Sequence, residues 1–120
     1  MTSIPDLASV VLILESSDPD VLGHLSLFRC LRDAESCIEA IDVRNSEYFG
    51  FMLDGRSLTL SAVGERVTIM PNSDEGVHTV RVRRLLEGYF RFCNRDKSLA
   101  FSDLSHLPLE KLVETIGLER

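Results

Sequence analysis

Long apolar runs are missing from this 120-residue sequence, and no stretch approaches the ~20 apolar residues that a membrane span requires. Basic residues are missing before Arg29, so no positive leader precedes the short apolar run Val10–Leu14. We therefore expect neither a transmembrane helix nor a secretory signal. The three cysteines are then interpreted as reduced thiols of a cytoplasmic protein.

Recognisable catalytic and ligand-binding motifs are missing too. The sequence contains no CxxC or HxxEH, no GxSxG elbow, and no GxGxxG or P-loop. His24, His78 and His106 are scattered, which predicts no zinc site. A pair of Cys93 with His106 is conceivable, but Cys93 lies on the apolar face of a predicted helix, which favours a core cysteine. We expect no cofactor, no metal and no catalysis, with an enzyme that lacks a known motif as an alternative.

The composition is that of an ordinary globular protein. Hydrophobic residues make up 44% of the chain and charged residues 27%. Single domains run to roughly 100–200 residues, and a chain of this size buries enough surface to fold without a metal or disulfide. No repeat or linker interrupts the sequence, so residues 1–120 are predicted to form one domain.

The first half of the chain is predicted to contain one strand and two helices. Ala8–Glu15 includes a continuous run of apolar, partly β-branched residues, typical of a central strand buried on both faces. A capping signal at Asp18 and apolar residues at helical spacing predict a helix over residues 19–33. Ala34–Ile41 suits a second short helix ending near Asp42, although a strand over Ile38–Val43 also fits.

A three-stranded meander is predicted next. The aromatic-rich segment Glu47–Asp54 is its first strand. This strand leads into Asp54-Gly55, a dipeptide typical of a two-residue type I′ hairpin turn. Arg56–Val63 then alternates between apolar and polar residues, as expected for a half-buried strand. After a second turn, Arg66–Met70 forms the last strand and ends at Pro71.

Two helices complete the predicted fold. Val77–Asn94 carries apolar residues at i, i+3, i+4 and i+7, although its beginning would also suit a strand. Pro108 opens a last apolar helix that Gly117 ends. The class is therefore α+β, with a small antiparallel sheet (a central N-terminal strand plus the meander) packed against about four helices.

Charge is unevenly distributed along the chain. The net charge is −6, but residues 1–76 carry 13 acidic and 5 basic side chains, whereas residues 77–97 carry 6 basic and 2 acidic. An acidic body disfavours nucleic-acid binding, which needs lysine and arginine to neutralise phosphates. It favours a basic protein partner through electrostatic steering, and solubility alone is the alternative explanation.

Two sets of residues are candidate binding surfaces. The first combines carboxylates with aromatic anchors that could dock a cationic partner: Glu39, Asp42, Glu47, Tyr48, Phe49 and Asp54. The second lines one side of the predicted helix and could contact an anion or RNA: Arg81, Arg84, Arg91 and Arg95. Each set could equally be a solvated face.

Aromatic residues suggest another possibility. We expect one small core to be too small for all five of these side chains, and Phe90 and Phe92 cannot share one helical face: Phe49, Phe51, Tyr89, Phe90 and Phe92. An exposed remainder would suit the interface of a homodimeric structural or regulatory domain.

Part of the sequence resembles a known class of proteins. Ile38–Tyr48 (EAIDVxNxEY), Asp54–Leu60 (DGRxLxL) and Leu107–Val113 resemble segments of small bacterial immunity-type proteins encoded at polymorphic toxin loci. The resemblance implies a cytoplasmic inhibitor that binds a cognate toxin domain and occludes its active site or partner surface. Such a protein would act by binding and not by catalysis.

Overall fold

A computed structural model describes residues 7–16, 23–45, 47–74, 76–93 and 107–118. It confirms the α+β class, with two antiparallel sheets and four α-helices among these residues. In chain order the elements are β1 (Val11–Glu15), β2 (His24–Phe28), α1 (Leu31–Cys37), α2 (Ala40–Arg44), β3 (Tyr48–Met52), β4 (Leu58–Val63), β5 (Arg66–Pro71), α3 (Thr79–Cys93) and α4 (Leu109–Ile116).

The N-terminal strand β1 lies at the centre of a three-stranded sheet, in the order β2-β1-β3. Val11 to Leu14 are all buried, and only Glu15 at the end of the strand is exposed. The prediction of a central strand buried on both faces is therefore confirmed, because the apolar run has no polar face to turn towards water. The strand begins at Val11 and not at Ala8, since Leu7–Ser9 form a 3-10 helix.

Each face of this sheet supports a separate part of the core. Leu12 and Leu14 pack with α3 and α4, where Leu86, Phe90 and Leu112 are fully buried. On the opposite face, Val11 and Ile13 belong to a cluster that includes residues of α1, α2, β4 and β5. Strand alternation thus assigns even-numbered β1 residues to one core and odd-numbered residues to the other.

The predicted helix over residues 19–33 is wrong. Residues 24–28 form strand β2, which pairs with β1 from Glu15↔His24 to Val11↔Phe28, and the helix α1 begins only at Leu31. Residues 17–22, which carry the capping signal, lie outside the described residues. Leu25 and Leu27 alternate with His24 and Ser26, and burial against β1 favours this period of two over the helical spacing.

The second short helix is found in a divided form. The α1 helix ends at Cys37, and α2 runs from Ala40 to Arg44. Between them, Ile38 and Glu39 have extended backbones, with ψ of 136° at both residues. The extended pair separates the two helices, so neither the predicted single helix nor the alternative strand describes this segment.

The meander is also divided. β4 and β5 form a two-stranded sheet of their own, whereas β3 pairs with β1, and only an isolated Phe51↔Ser57 bridge joins β3 to β4. The predicted two-residue turn is wrong: the Met52 N–H donates to the Arg56 carbonyl, which leaves three residues between the paired positions. Gly55 occupies the last of these with φ of 100°, a backbone conformation that favours glycine.

Both C-terminal helices agree with expectation. α3 occupies most of the predicted range, and α4 begins after Pro108 and ends at Gly117, whose N–H donates to the Val113 carbonyl. Within the described ranges, no helix is long and apolar enough to cross a membrane.

Candidate functional site

Three strands of the first sheet bring polar side chains together at one end. Glu15 ends β1, while His24 and Tyr48 begin the strands on either side, and both are paired with Glu15 in the ladder. Residues paired across an antiparallel sheet project from the same face. Glu15, His24 and Tyr48 therefore lie on the face that carries Ile13 and Phe28.

Tyr48 is the centre of the charged groups at this end. Its hydroxyl donates to Asp42 Oδ2 at 3.4 Å. Burial, followed by the charges of Glu15 and Asp42, that hydrogen bond and the charge of Glu39, raises the pKa of Tyr48 to about 12. Three carboxylates thus act on one phenol, which makes the surroundings of Tyr48 strongly negative.

The carboxylates at this end are not neutralised by the described part of the chain. We call Glu15, Glu39, Asp42, Glu47 and Tyr48 the acidic end. Among residues that the structure describes, none of its four carboxylates forms an ion pair. Arg44, on the same helix as Asp42, instead donates a hydrogen bond to the Gly64 carbonyl. Within the described residues, no ion pair therefore offsets the negative charge of the acidic end.

A cleft of about 240 Å³ opens beside Tyr48. Ile13, Phe28 and Ile38 are buried and form its apolar floor. The remaining lining residues are half-buried or exposed and form its wall and rim: Glu15, His24, Ser26, Cys37 and Tyr48. The cleft thus combines an apolar interior with an acidic and aromatic rim.

The predicted partner-binding residues do not form one surface. Glu39, Asp42 and Tyr48 meet at the acidic end, with Glu47 beside them through its backbone hydrogen bond to Asp42. Phe49 projects from the opposite face and packs against the core of α3 and α4.

Asp54 lies apart from this set. It follows β3 at the opposite end of the strand, where its Oδ2 accepts a hydrogen bond from Arg56 Nε at 2.9 Å. Glu15 belongs to the acidic end but was missed by sequence reasoning. Its position as the first polar residue after the apolar run was the available signal.

The predicted basic strip is only partly exposed. Arg84 and Arg91 are exposed on α3, whereas Arg81 is half-buried and lines a groove with Phe49 and His78. The neighbouring Arg83 is engaged within the chain, because it donates to Glu87 Oε2 at 2.8 Å and to the Leu107 carbonyl at 2.6 Å. Arg95 lies outside the described residues.

A second polar cluster, which we call the Asp74 network, joins the β3–β4 turn to the start of α3. Asp74 Oδ2 accepts a hydrogen bond from the Ser57 hydroxyl at 2.8 Å, and His78 Nε2 lies 3.0 Å from the same oxygen. Asp74 Oδ1 accepts from the Ser57 N–H at 3.1 Å. The Asn72 amide and the Thr59 hydroxyl extend the network.

The Asp74 network has the residue types of a serine hydrolase site but not its arrangement. A catalytic serine must give its proton to the histidine, whereas Ser57 and His78 both contact the carboxylate. The hydrogen bond from the Ser57 hydroxyl is the largest factor that lowers the pKa of Asp74. The carboxylate is thus held as an anion that fastens α3 to the turn. In the sequence, the i,i+4 spacing of Asp74 and His78 is the only signal of the Asp74 network.

The aromatic residues are largely accommodated by the core. Phe51 and Phe90 are buried, and Phe49 and Tyr89 are partly buried against the same cluster. The side chain of Phe92 lies outside the described residues. Among the described residues, no group of three or more histidine, cysteine or acidic side chains could hold a metal ion.

Comparison with known proteins gave no match: the chain matched no family model, no curated protein and no solved structure.

Proposed function

We propose that this protein is a cytoplasmic, non-catalytic binding domain of the immunity type, which docks a basic protein partner at the acidic end. The observation that carries the proposal is the set of carboxylates around Tyr48 that no described residue neutralises. Like charges that lie close together without counter-charges slightly destabilise a fold. Binding a cationic partner would relieve this repulsion, so the cluster favours such a partner.

The physical properties of the acidic end fit a transient or steered encounter with a basic surface. Complementary charge increases the association rate and makes it sensitive to salt. Tyr48 adds a large aromatic contact of the kind enriched at binding hot spots. Inhibition would follow from occlusion of the partner, and it requires no reactive group on this chain.

The identity of the partner as a toxin domain rests on the sequence alone. The segments Ile38–Tyr48 and Asp54–Leu60, which resemble immunity-type proteins, include Glu39, Asp42 and Tyr48 of the acidic end. A nuclease toxin would suit this surface, because enzymes that bind nucleic acid carry basic active sites.

Two variants of equal charge test the proposal. The acidic-end variant carries Glu15→Gln, Glu39→Gln and Asp42→Asn. The control variant carries Glu65→Gln, Glu110→Gln and Glu114→Gln, which neutralise three exposed carboxylates elsewhere. Each protein is used as bait in an extract of the native cell at low and high salt, and the captured proteins are identified by mass spectrometry.

We expect the wild type and the control variant to capture the same basic protein, which high salt releases. The acidic-end variant should capture at least about tenfold less, because it lacks the charges that steer and hold the partner. Equal capture by both variants would overturn the proposal. So would recovery of the bait alone, and sedimentation would then test the homodimer.

A further inference from the structure

The cleft beside Tyr48 has the size of a site for one side chain. Its volume of about 240 Å³ is below the roughly 300–1,000 Å³ of pockets that hold drug-sized ligands. It is lined by β1, β2, β3 and the C-terminal end of α1, so rigid elements fix its shape. A single side chain from a docked partner fits this space better than a free metabolite.

The floor and the rim of the cleft suit different parts of the side chain that would bind there. Ile13, Phe28 and Ile38 offer a buried apolar surface, which suits an aliphatic stem. Long basic side chains bury such stems and keep their charged heads at the surface. The charged head would then lie at the rim, where Glu15 is exposed and Tyr48 is half-buried.

The rim favours a guanidinium over an ammonium group. A planar guanidinium can donate two hydrogen bonds to one carboxylate and stack on an aromatic ring, whereas an ammonium is a compact, strongly hydrated charge. Glu15 and Tyr48 are cross-strand neighbours on the same face, so one planar group can contact both. The adjacent Asp42, whose Oδ2 lies 3.4 Å from the Tyr48 hydroxyl, adds negative charge next to this rim.

We infer that the cleft binds a single arginine side chain of the partner protein, with its stem on Ile13, Phe28 and Ile38 and its guanidinium between Glu15 and Tyr48. This inference rests on the proposed function for the source of the arginine. It goes further than the proposed function, which names only a basic protein partner, because it identifies one arginine as the residue that anchors the partner at the acidic end.

The test is a titration of the full-length, ¹⁵N-labelled protein with N-acetyl-arginine amide at pH 7.5, followed by NMR. We expect the largest shifts at the amides of Glu15, Ser26 and Tyr48. N-acetyl-citrulline amide has nearly the same shape without the charge and should bind at least about tenfold more weakly. N-acetyl-lysine amide should also bind more weakly, because it cannot form the paired hydrogen bonds.

Two variants separate the cleft from the charge around it. Ser26→Met fills the cleft and leaves every carboxylate in place, and it should abolish the shifts. Glu15→Gln should weaken arginine binding by about tenfold, whereas the matched Glu65→Gln should leave it unchanged. Because Glu15 is exposed, its substitution should not unfold the protein, and the NMR spectrum checks this directly.

The outcomes distinguish this inference from the proposed function. If arginine amide binds the cleft but no partner is captured, the arginine site stands and the proposed function fails. If a partner is captured through the acidic end while Ser26→Met captures it equally well, the arginine site is overturned. Equal binding of arginine and citrulline amides, or binding that Ser26→Met leaves unchanged, would also overturn it.

Discussion

The acidic end and the Asp74 network use carboxylates in opposite ways. At the network, donors surround Asp74 and lower its pKa, and the Ser57 hydroxyl makes the largest contribution. At the acidic end, burial and then the surrounding carboxylates raise the pKa of Tyr48 to about 12. In the first region the charge helps to hold the fold together, whereas in the second no described residue forms an ion pair with the carboxylates, which leaves them for the partner that we propose. Substitutions should therefore affect stability in one region and binding in the other.

The largest effect on stability is expected at the turn that the network supports. In Gly55→Ala, a Cβ would lie 2.6 Å from Thr79 Cγ2 and 2.9 Å from the Thr79 nitrogen, with the backbone at φ of 100°. We expect the free energy of unfolding to fall by about 2–4 kcal/mol, from backbone strain and overpacking together. Urea denaturation measures the change.

Gly64→Ala is the matched control, because Gly64 has φ of 60° but no atom within 4 Å of an added Cβ. Its cost should be only the backbone term of about 1 kcal/mol. Equal losses in the two variants would show that the contact between the turn and α3 contributes little.

The next effect is the acid dependence of the network. The pKa of Asp74 is lowered in the folded state from its ordinary value of 3.8. Its contribution to the free energy of unfolding is therefore present above pH 3.8. The contribution is lost as the pH falls through the lower, folded pKa. In Asp74→Asn the decline of stability below pH 4 should become shallower, as measured by urea denaturation between pH 2 and 6. An unchanged acid limb would contradict the assigned role of Asp74.

The acidic end should respond to alkali instead. Tyr48 has a raised pKa, so its contribution to stability is present below the ordinary value of 10.0 and is lost as the pH rises through about 12. The chain has two tyrosines and no tryptophan, so Tyr89→Phe leaves one phenol to follow by tyrosinate absorbance. Adding Glu15→Gln should shift that titration towards 10.0, whereas adding Glu65→Gln should not.

The smallest effect on stability is expected from the acidic-end variant itself. Its three substitutions remove like charges that no described residue neutralises, so the free energy of unfolding should stay within about 0.5 kcal/mol or rise. Thermal and urea denaturation of this variant and the control variant provide the comparison. A large loss of stability would show that these carboxylates support the fold.

Sequence patterns predicted the elements that depend on local signals. The apolar run of β1, the periodicity of α3 and the Pro108 and Gly117 boundaries of α4 each identify an element without reference to distant residues. The prediction for residues 24–28 is wrong because their conformation depends on pairing with β1. Helical spacing and strand alternation coexist in that segment, and only the tertiary partner decides between them.

The candidate site shows the same limit. The sequence predicts a surface of carboxylates and aromatic anchors that includes Glu39, Asp42 and Tyr48, and the structure brings these three together. Glu15 joins them through strand register, which no local pattern reveals. The same prediction includes Asp54, but β3 lies between Tyr48 and Asp54 and places them at opposite ends of the strand. The Asp74–Ser57 contact likewise spans 17 positions and depends on the fold.

The most direct test of the central claim compares how much of the basic protein the acidic-end and control variants capture. The two baits are incubated with extracts that carry different isotope labels, and the captured proteins are then mixed and quantified together. Both baits have the same net charge, so any difference reports where the charge was removed. If the carboxylates around Tyr48 serve a partner, the acidic-end variant should retain less than about one tenth of the basic protein held by the control. Equal amounts on the two baits would contradict the claim that this end of the sheet is a binding surface.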